Sequence, residues 1–346
     1  MEKVTMQLTT LITGATGFLG AYTALEFLRA GYKVKGTYRS TSSIKKAKHI
    51  FCYHPDGLKL FDSIEWVNVD LEDYNEVRKA FLNVDFVVHT AAEVSFNKRR
   101  KNQIIENNTR MAAYVVDAAL ETGVKKLCHI SSIAALGSTT NGDLINEETK
   151  FSSVKEQSGY SISKFYSEME VWRGINSGLN AVILNPSVIF GAGDWKSSSS
   201  TFVATAGKGT PFYTLGVTGF VDVKDVAHAC RLTLESELSG ERYLLSAENI
   251  SYQELFNSMA DELGKKRPSI KATPALMKVV ACACMSTSLL TGKEPQITFS
   301  IARSAWNKMY YDGSKIEKLL NFKYTPISET IRFACDCYKK DNPSKK

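Results

Sequence analysis

Tyr160 and Lys164 stand four residues apart in SGYSISKFYSEMEVWRG, a stretch whose apolar spacing predicts a helix over 158–174. Side chains at i and i+4 share one helix face, so a phenol and an ammonium can be neighbours there. A free tyrosine ionises near ~10, too high for efficient proton exchange at neutral pH. An ammonium held about 4 Å away at an effective dielectric of ~20 favours the phenolate by roughly 4 kcal/mol, or about 3 pKa units. Tyr160 is therefore expected to act as acid or base near neutrality. Ser132 follows a strand expected over 126–131, where its hydroxyl can hydrogen-bond a carbonyl oxygen and turn it toward Tyr160. The expected catalytic set, Ser132, Tyr160 and Lys164, suits proton transfer to and from a carbonyl or alcohol oxygen.

Such a set needs a scaffold and an electron carrier, and the first twenty residues suggest both. In LTTLITGATGFLG a short apolar run gives way to Gly14, Gly17 and Gly20, then to a periodic segment over 18–28. This reads as strand, tight turn and helix. The first glycine permits the turn, the second lets a phosphate approach the backbone, and the third lets helix and strand pack closely. The helix start then offers free N–H groups to an anion.

The end of the next strand, expected over 33–38, bears on which dinucleotide is held. An acidic side chain about 20 residues past the glycines suits the ribose of NAD, whereas a nearby Arg suits the extra phosphate of NADP. No Asp or Glu occurs between Glu26 and Asp56, while Arg39, Lys45, Lys46 and Lys48 lie in that gap. NADP is the expected cofactor.

Further strands are expected over 64–69, 85–90 and 180–184, with helices over 74–82 and 102–122. Strands alternating with helices at this spacing imply right-handed crossovers and a parallel sheet. The fold class is α/β, a Rossmann-type doubly wound parallel sheet with a smaller, mostly helical substrate lobe. The Asn185, Pro186, Ser187 step is expected to break its strand, and 189–194 (IFGAGD) to be a loop. Strand then helix return over 219–234. The expected division is 1–185 and 217–246 for the dinucleotide domain, 186–216 and 247–338 for the lobe, and 339–346 for a solvated tail.

The 346 residues, 44% of them hydrophobic, suffice for a large α/β domain and a lobe. No apolar run reaches the roughly 18 residues of a membrane span. The first strand is needed for the fold, so the N-terminal residues are not expected to be a cleavable signal. The segment 275–290 is expected to be a core helix or pocket wall rather than a membrane-facing helix, because Lys278 interrupts it. Seven scattered cysteines without a CxxC pair read as reduced thiols of a cytoplasmic protein, with Cys282/Cys284 and Cys335/Cys337 packing in the core and no metal site. A net charge of +7 spread along the chain, with one short run, KRRK at 98–101, reads as a solvated surface rather than a nucleic-acid face.

In order and spacing these motifs resemble the extended short-chain dehydrogenase/reductase family, over nearly the whole chain. TGATGFLG resembles its cofactor loop, placing Gly14, Thr16, Gly17, Phe18, Leu19 and Gly20 against the dinucleotide. DLED resembles its adenine-side motif (Asp70, Leu71), and HTAA its mid-sheet motif (Thr90, Ala91, Ala92). NPSVIFGAGD resembles the segment beside the nicotinamide (Pro186, Ser187, Val188), although Asn185 stands where Arg is common. The resemblance implies catalytic roles for Ser132, Tyr160 and Lys164, with Lys164 also on the nicotinamide ribose, and gives Asn108 of ENNTRMA a proton-relay water. TYRSTSSIKKAKHI is similar to the NADP segment of dihydroflavonol 4-reductase-like enzymes, with Arg39 and Lys46 on the phosphate.

Two departures narrow the field. Ile133 and Ala134 follow Ser132 where 4,6-dehydratases place an acidic pair, and SGYSISK lacks the Cys-containing signature of cinnamoyl-CoA reductases. The expectation is an NADP(H)-dependent reductase of a small, fairly apolar ketone or aldehyde, or a dehydrogenase of the alcohol. A nucleotide-sugar epimerase, a 3β-hydroxysteroid dehydrogenase-like enzyme and a non-catalytic NADP-binding protein are the alternatives. The resemblance also implies a possible homodimer through the helices at 102–122 and 158–174.

Overall fold

The computed structural model describes residues 7–95, 98–139, 143–151, 154, 157–291 and 299–343. Its first half alternates strand and helix: β1 (Thr9–Thr13), α1 (Phe18–Arg29), β2 (Lys33–Tyr38), α2 (Thr41–Phe51), α3 (Gly57–Phe61), β3 (Glu65–Asn68), α4 (Tyr74–Ala80), β4 (Phe86–His89), α5 (Lys101–Thr122), β5 (Lys126–Ile130), α6 (Gly159–Asn176) and β6 (Ala181–Pro186). The second half is less regular: β7 (Val188–Phe190), α7 (Ser200–Gly207), β8 (Phe212–Tyr213), β9 (Val217–Asp222), α8 (Val223–Glu235), β10 (Glu241–Leu245), β11 (Glu248–Ser251), α9 (Tyr252–Glu262), β12 (Ile270–Lys271), α10 (Pro274–Thr291), α11 (Phe299–Ser304), α12 (Ser314–Leu320) and α13 (Ile327–Asp341).

Seven strands form one parallel sheet in the order β3-β2-β1-β4-β5-β6-β10. Every residue of β4, β5 and β6 is buried, as expected of central parallel strands covered on both faces. Helices α1 and α8 cover one face, where Tyr22, Leu25, Phe27 and Val226 are buried. Helices α4, α5 and α6 cover the other around Val77, Val115, Val116 and Val171. Each such side chain contributes about 1.5–3 kcal/mol by leaving water. The strand order reverses between β1 and β4, and it is at such a switch point that parallel sheets take ligands, in a crevice at the carboxyl ends. A smaller sheet, β11-β9-β7, and the two-stranded β12-β8 stand apart from the large sheet, and the lobe draws on their strands β7, β8, β11 and β12.

Several expectations need correction. The Asn185–Pro186 step does not end its strand: both residues pair in register with β10, and Ser187 N–H then donates to Leu245 O at 2.8 Å. Proline, which has no N–H to give, is tolerated here as the last residue of β6. Ile189 and Phe190, expected in a loop, belong to β7, and Lys98–Arg100 form one 3-10 turn leading into α5. Strand β9 sits in the smaller sheet between β7 and β11, and only β10 of the later strands joins the large one. The stretch expected as a solvated tail from 339 begins inside α13, which runs to Asp341, whose carboxylate accepts hydrogen bonds from Tyr53, His49 and Trp195. Of the two expectations for 275–290, core helix or pocket wall, the core helix is overturned: among the described side chains of α10 only Ala281 is fully buried. Cys282, expected in the core, is exposed on it, and Cys284 is half-buried.

Candidate active site

The turn after β1 lies at the switch point and is shaped by contacts only glycine allows. Gly14 adopts φ +70°, and a Cβ there would stand 2.9 Å from Ala91 Cα. A Cβ on Gly20 would meet Gly14 O at 2.1 Å. At Gly17, which is exposed, a Cβ would meet only Gly14 O, at 3.1 Å, so its outer side is open. No side chain caps α1 and no acidic residue enters its first turn, leaving its N-terminal N–H groups and dipole for an anion. Thr16 and Phe18 are half-buried at the turn; Leu19 points into the core and offers only its backbone. Thr90 Oγ1 donates to Thr13 O at 2.6 Å, which holds Thr90 and the half-buried Ala91 and Ala92 against the turn.

Three elements bring Ser132, Tyr160 and Lys164 together. Ser132 follows β5 and its hydroxyl accepts from Ala134 N–H at 3.1 Å. Tyr160, in the first turn of α6, is hydrogen-bonded to that same hydroxyl. Lys164, one turn on, is buried and its Nζ donates to Ile130 O at 2.8 Å. The expected acidification of Tyr160 by Lys164 is not met in the chain alone: burial raises the phenol's pKa, with the Ser132 hydrogen bond pulling against it. The ammonium is committed to Ile130 O and is itself lowered to about 8 by burial, with Glu168 acting in the opposite direction. Near it in the sheet the rings of His89 and His129 lie 5.2 Å apart, tilted by 33°. Burial, then the Lys164 charge, lowers His89 to about 3, and His129 is likewise held neutral, so Lys164 keeps the local positive charge to itself.

One part of the site was not read from the sequence. Glu168, a further turn along α6, is buried and gathers Ser131 Oγ (2.7 Å), Asn185 Nδ2 (2.9 Å), Arg242 Nη1 (2.9 Å) and Trp172 Nε1 (3.3 Å). Asn185 Nδ2 also donates to Ser132 O at 3.0 Å. The signal was available, since 160, 164 and 168 repeat every four residues along one face. Asn108 is buried but directed elsewhere: its amide donates to Glu93 O and Ser163 Oγ and accepts from Glu93 N–H. Both its donors are thereby used, which leaves one lone pair for a water.

The far end of the crevice carries the basic residues. Arg39 is exposed just past β2, with no partner among the described residues. Lys46, on α2, pairs with Asp194 at 3.2 Å. Asp70 is exposed after β3 and accepts from Glu72 N–H, with Leu71 half-buried beside it. Near the lobe, Pro186 is buried, Val188 is half-buried, and Ser187 Oγ is buried without a hydrogen-bond partner. An open glycine turn, basic groups at one end and an orphaned hydroxyl at the other fit a phosphate-bridged dinucleotide with a carboxamide head. Among the described residues no group of His, Cys, Asp and Glu could hold a metal.

Fold and site together define a Rossmann-type dinucleotide-binding protein of the extended short-chain class. The model of the NAD dependent epimerase/dehydratase family matches residues 10–246, and the chain belongs to that family. "Sterol demethylase protein B" of Methylococcus capsulatus is 29% identical over 276 residues, covering 79% of this chain and 80% of that protein. "Putative dihydroflavonol 4-reductase" of Synechocystis is 26% identical over 328 residues, covering 92% and 91%. Among solved structures, that of gox2253 superposes with a TM-score of 0.79 at 28% identity, covering 97% of this chain and 99% of that one.

Proposed function

We propose that the protein is an NADP(H)-dependent oxidoreductase that reduces an apolar ketone or aldehyde, or oxidises the corresponding alcohol. The observation that carries this reading is the Ser132–Tyr160 hydrogen bond with Lys164 one turn behind it, at the strand end beside the glycine turn. When bound, the nicotinamide supplies or accepts the hydride. Ser132 holds the substrate oxygen toward Tyr160, and the phenol gives that oxygen its proton. Lys164, positively charged below about pH 8, stabilises the phenolate that remains. Arg39 and Lys46 favour the additional phosphate of NADP over the bare ribose of NAD. The sterol relative and the lack of a dehydratase acid after Ser132 favour an alicyclic carbonyl over a sugar nucleotide. Ser132, Tyr160 and Lys164 are the proposed catalytic residues, and Asn108 a support for them. The remaining parts of the proposal are a dinucleotide domain of 1–185 and 217–246, a homodimer through α5 and α6, and a cytoplasmic location.

The test is cofactor oxidation against a panel of apolar ketones and aldehydes, with NADPH and NADH compared. One cofactor consumed per carbonyl reduced is expected. Tyr160→Phe should lower kcat by about 10²–10⁴ while cofactor binding survives. An unchanged kcat, or isomerised substrate with no net cofactor oxidation, would overturn the reading, the second outcome in favour of an epimerase.

A further inference from the structure

Helix α10 turns apolar side chains outward. Val279 is 65% exposed and Leu276 39%, and Lys278 is its one charged residue. Next to it in the chain, the β8–β12 ribbon exposes two paired residues, Phe212 (46%) and Ile270 (49%). Ala272 joins the two: its N–H donates to Tyr213 O at 2.8 Å, and its carbonyl accepts from Trp306 Nε1 at 3.0 Å. The ribbon thus runs through Ala272 directly into the start of α10, and both elements carry exposed apolar side chains.

The segment that carries the second ribbon strand and α10 is basic. From Leu263 to Lys293 the sequence has no Asp or Glu, against five Lys and one Arg. Arg267 is neutralised by Asp261, but Lys265, Lys266, Lys271 and Lys278 are exposed without carboxylate partners among the described residues. Lys271 lies over the Trp306 ring at 5.4 Å, an arrangement that leaves its charge in place.

Exposed apolar groups rimmed by unpaired lysines select among occupants. A second copy docked on the same patch would set these lysines against their own images. A protein interface would be depleted in lysine. An anionic bilayer satisfies both features, because the apolar side chains enter the acyl boundary while lysine stems reach back to the headgroup phosphates. No described helix is long and apolar enough to cross a membrane, so the contact is with the surface. We propose that α10 and the β8–β12 ribbon dock the protein on an anionic lipid bilayer.

The proposal does not depend on the reaction assigned above, because its test needs no turnover. The full chain is floated with vesicles of phosphatidylcholine alone and of phosphatidylcholine with phosphatidylserine. Binding to the anionic vesicles at least about tenfold stronger, and weakened by salt, is expected. Val279→Asp should abolish it, and Lys265→Glu/Lys266→Glu should remove the preference for phosphatidylserine, with thermal unfolding unchanged because these side chains are exposed. No binding to either vesicle, binding indifferent to both variants, or self-association removed by Val279→Asp without vesicle binding would each overturn the proposal.

Discussion

The side-chain amide of Asn185 donates at 2.9 Å to the carboxylate of Glu168, joining the end of β6 to the helix that carries Tyr160 and Lys164. The same amide nitrogen reaches Ser132 O, so a single group ties the proposed oxygen-orienting serine to the helix of the proposed acid. Where the family resemblance leads one to expect an arginine at 185, the guanidinium comes instead from Arg242 on β10.

Glu168→Gln keeps the shape of this junction and removes its charge. Arg242 then faces a neutral amide in a largely buried site, and a loss of about 3 kcal/mol in denaturant unfolding is expected. Glu168 is also the group that opposes the burial-driven lowering of Lys164. The alkaline limb of the kcat profile should therefore lie near pH 8 in the natural chain and move to lower pH in the variant. A variant that loses stability but leaves the limb in place would assign Glu168 a purely structural part.

Cofactor choice should respond to Arg39 and Lys46 separately from chemistry. Arg39→Ala with Lys46→Ala is expected to raise KM for NADPH by about tenfold or more, the scale of one or two lost charge-assisted hydrogen bonds. KM for NADH and the kcat values should change little. Equal losses with both cofactors would show that these residues do not read the extra phosphate.

Two neighbouring glycines should fail in different ways. Gly20→Ala places a methyl 2.1 Å from Gly14 O and should lower Tm as well as cofactor affinity. Gly17→Ala meets only the same oxygen at 3.1 Å, on the open side of the turn. It should leave Tm nearly unchanged and weaken dinucleotide binding, measured by quenching of tryptophan fluorescence.

Stability should fall on mild acidification. His89 and His129 are held neutral in the fold, with His89 lowered to about 3, whereas in the unfolded chain each titrates near ~6.5. Between these values the unfolded state binds more protons, so stability is full above about pH 6.5 and is lost as pH falls toward 3. Thermal unfolding at pH 7.5 and at pH 5 should show this drop. His129→Leu, which removes a ring with two unpartnered nitrogens, should make it smaller.

Much of this architecture could be read along the chain because local and global preferences agree. The glycines at 14, 17 and 20, the apolar runs of β4 and β5 and the four-residue step from Tyr160 to Lys164 each declare their conformation. Other features depend on partners distant in sequence. Pro186 can stay in a strand because β10, more than fifty residues later, pairs with it. The direction of the Tyr160 shift could not be had from spacing, since it depends on how deeply the phenol is buried and on Ile130 O capturing the ammonium. Helix α10 has the composition of a core segment, and periodicity carries no information about whether anything packs on it.

Strand β10 returns from the lobe to become the last rung of the large sheet. Any fragment ending before Glu241 would leave β6 with a bare row of amides and carbonyls, a template for aggregation. It would also take from Glu168 its ion pair with Arg242. The nucleotide-holding half of the molecule is thus unfit for life as an excised module, and attempts to graft or minimise it must carry this late rung along.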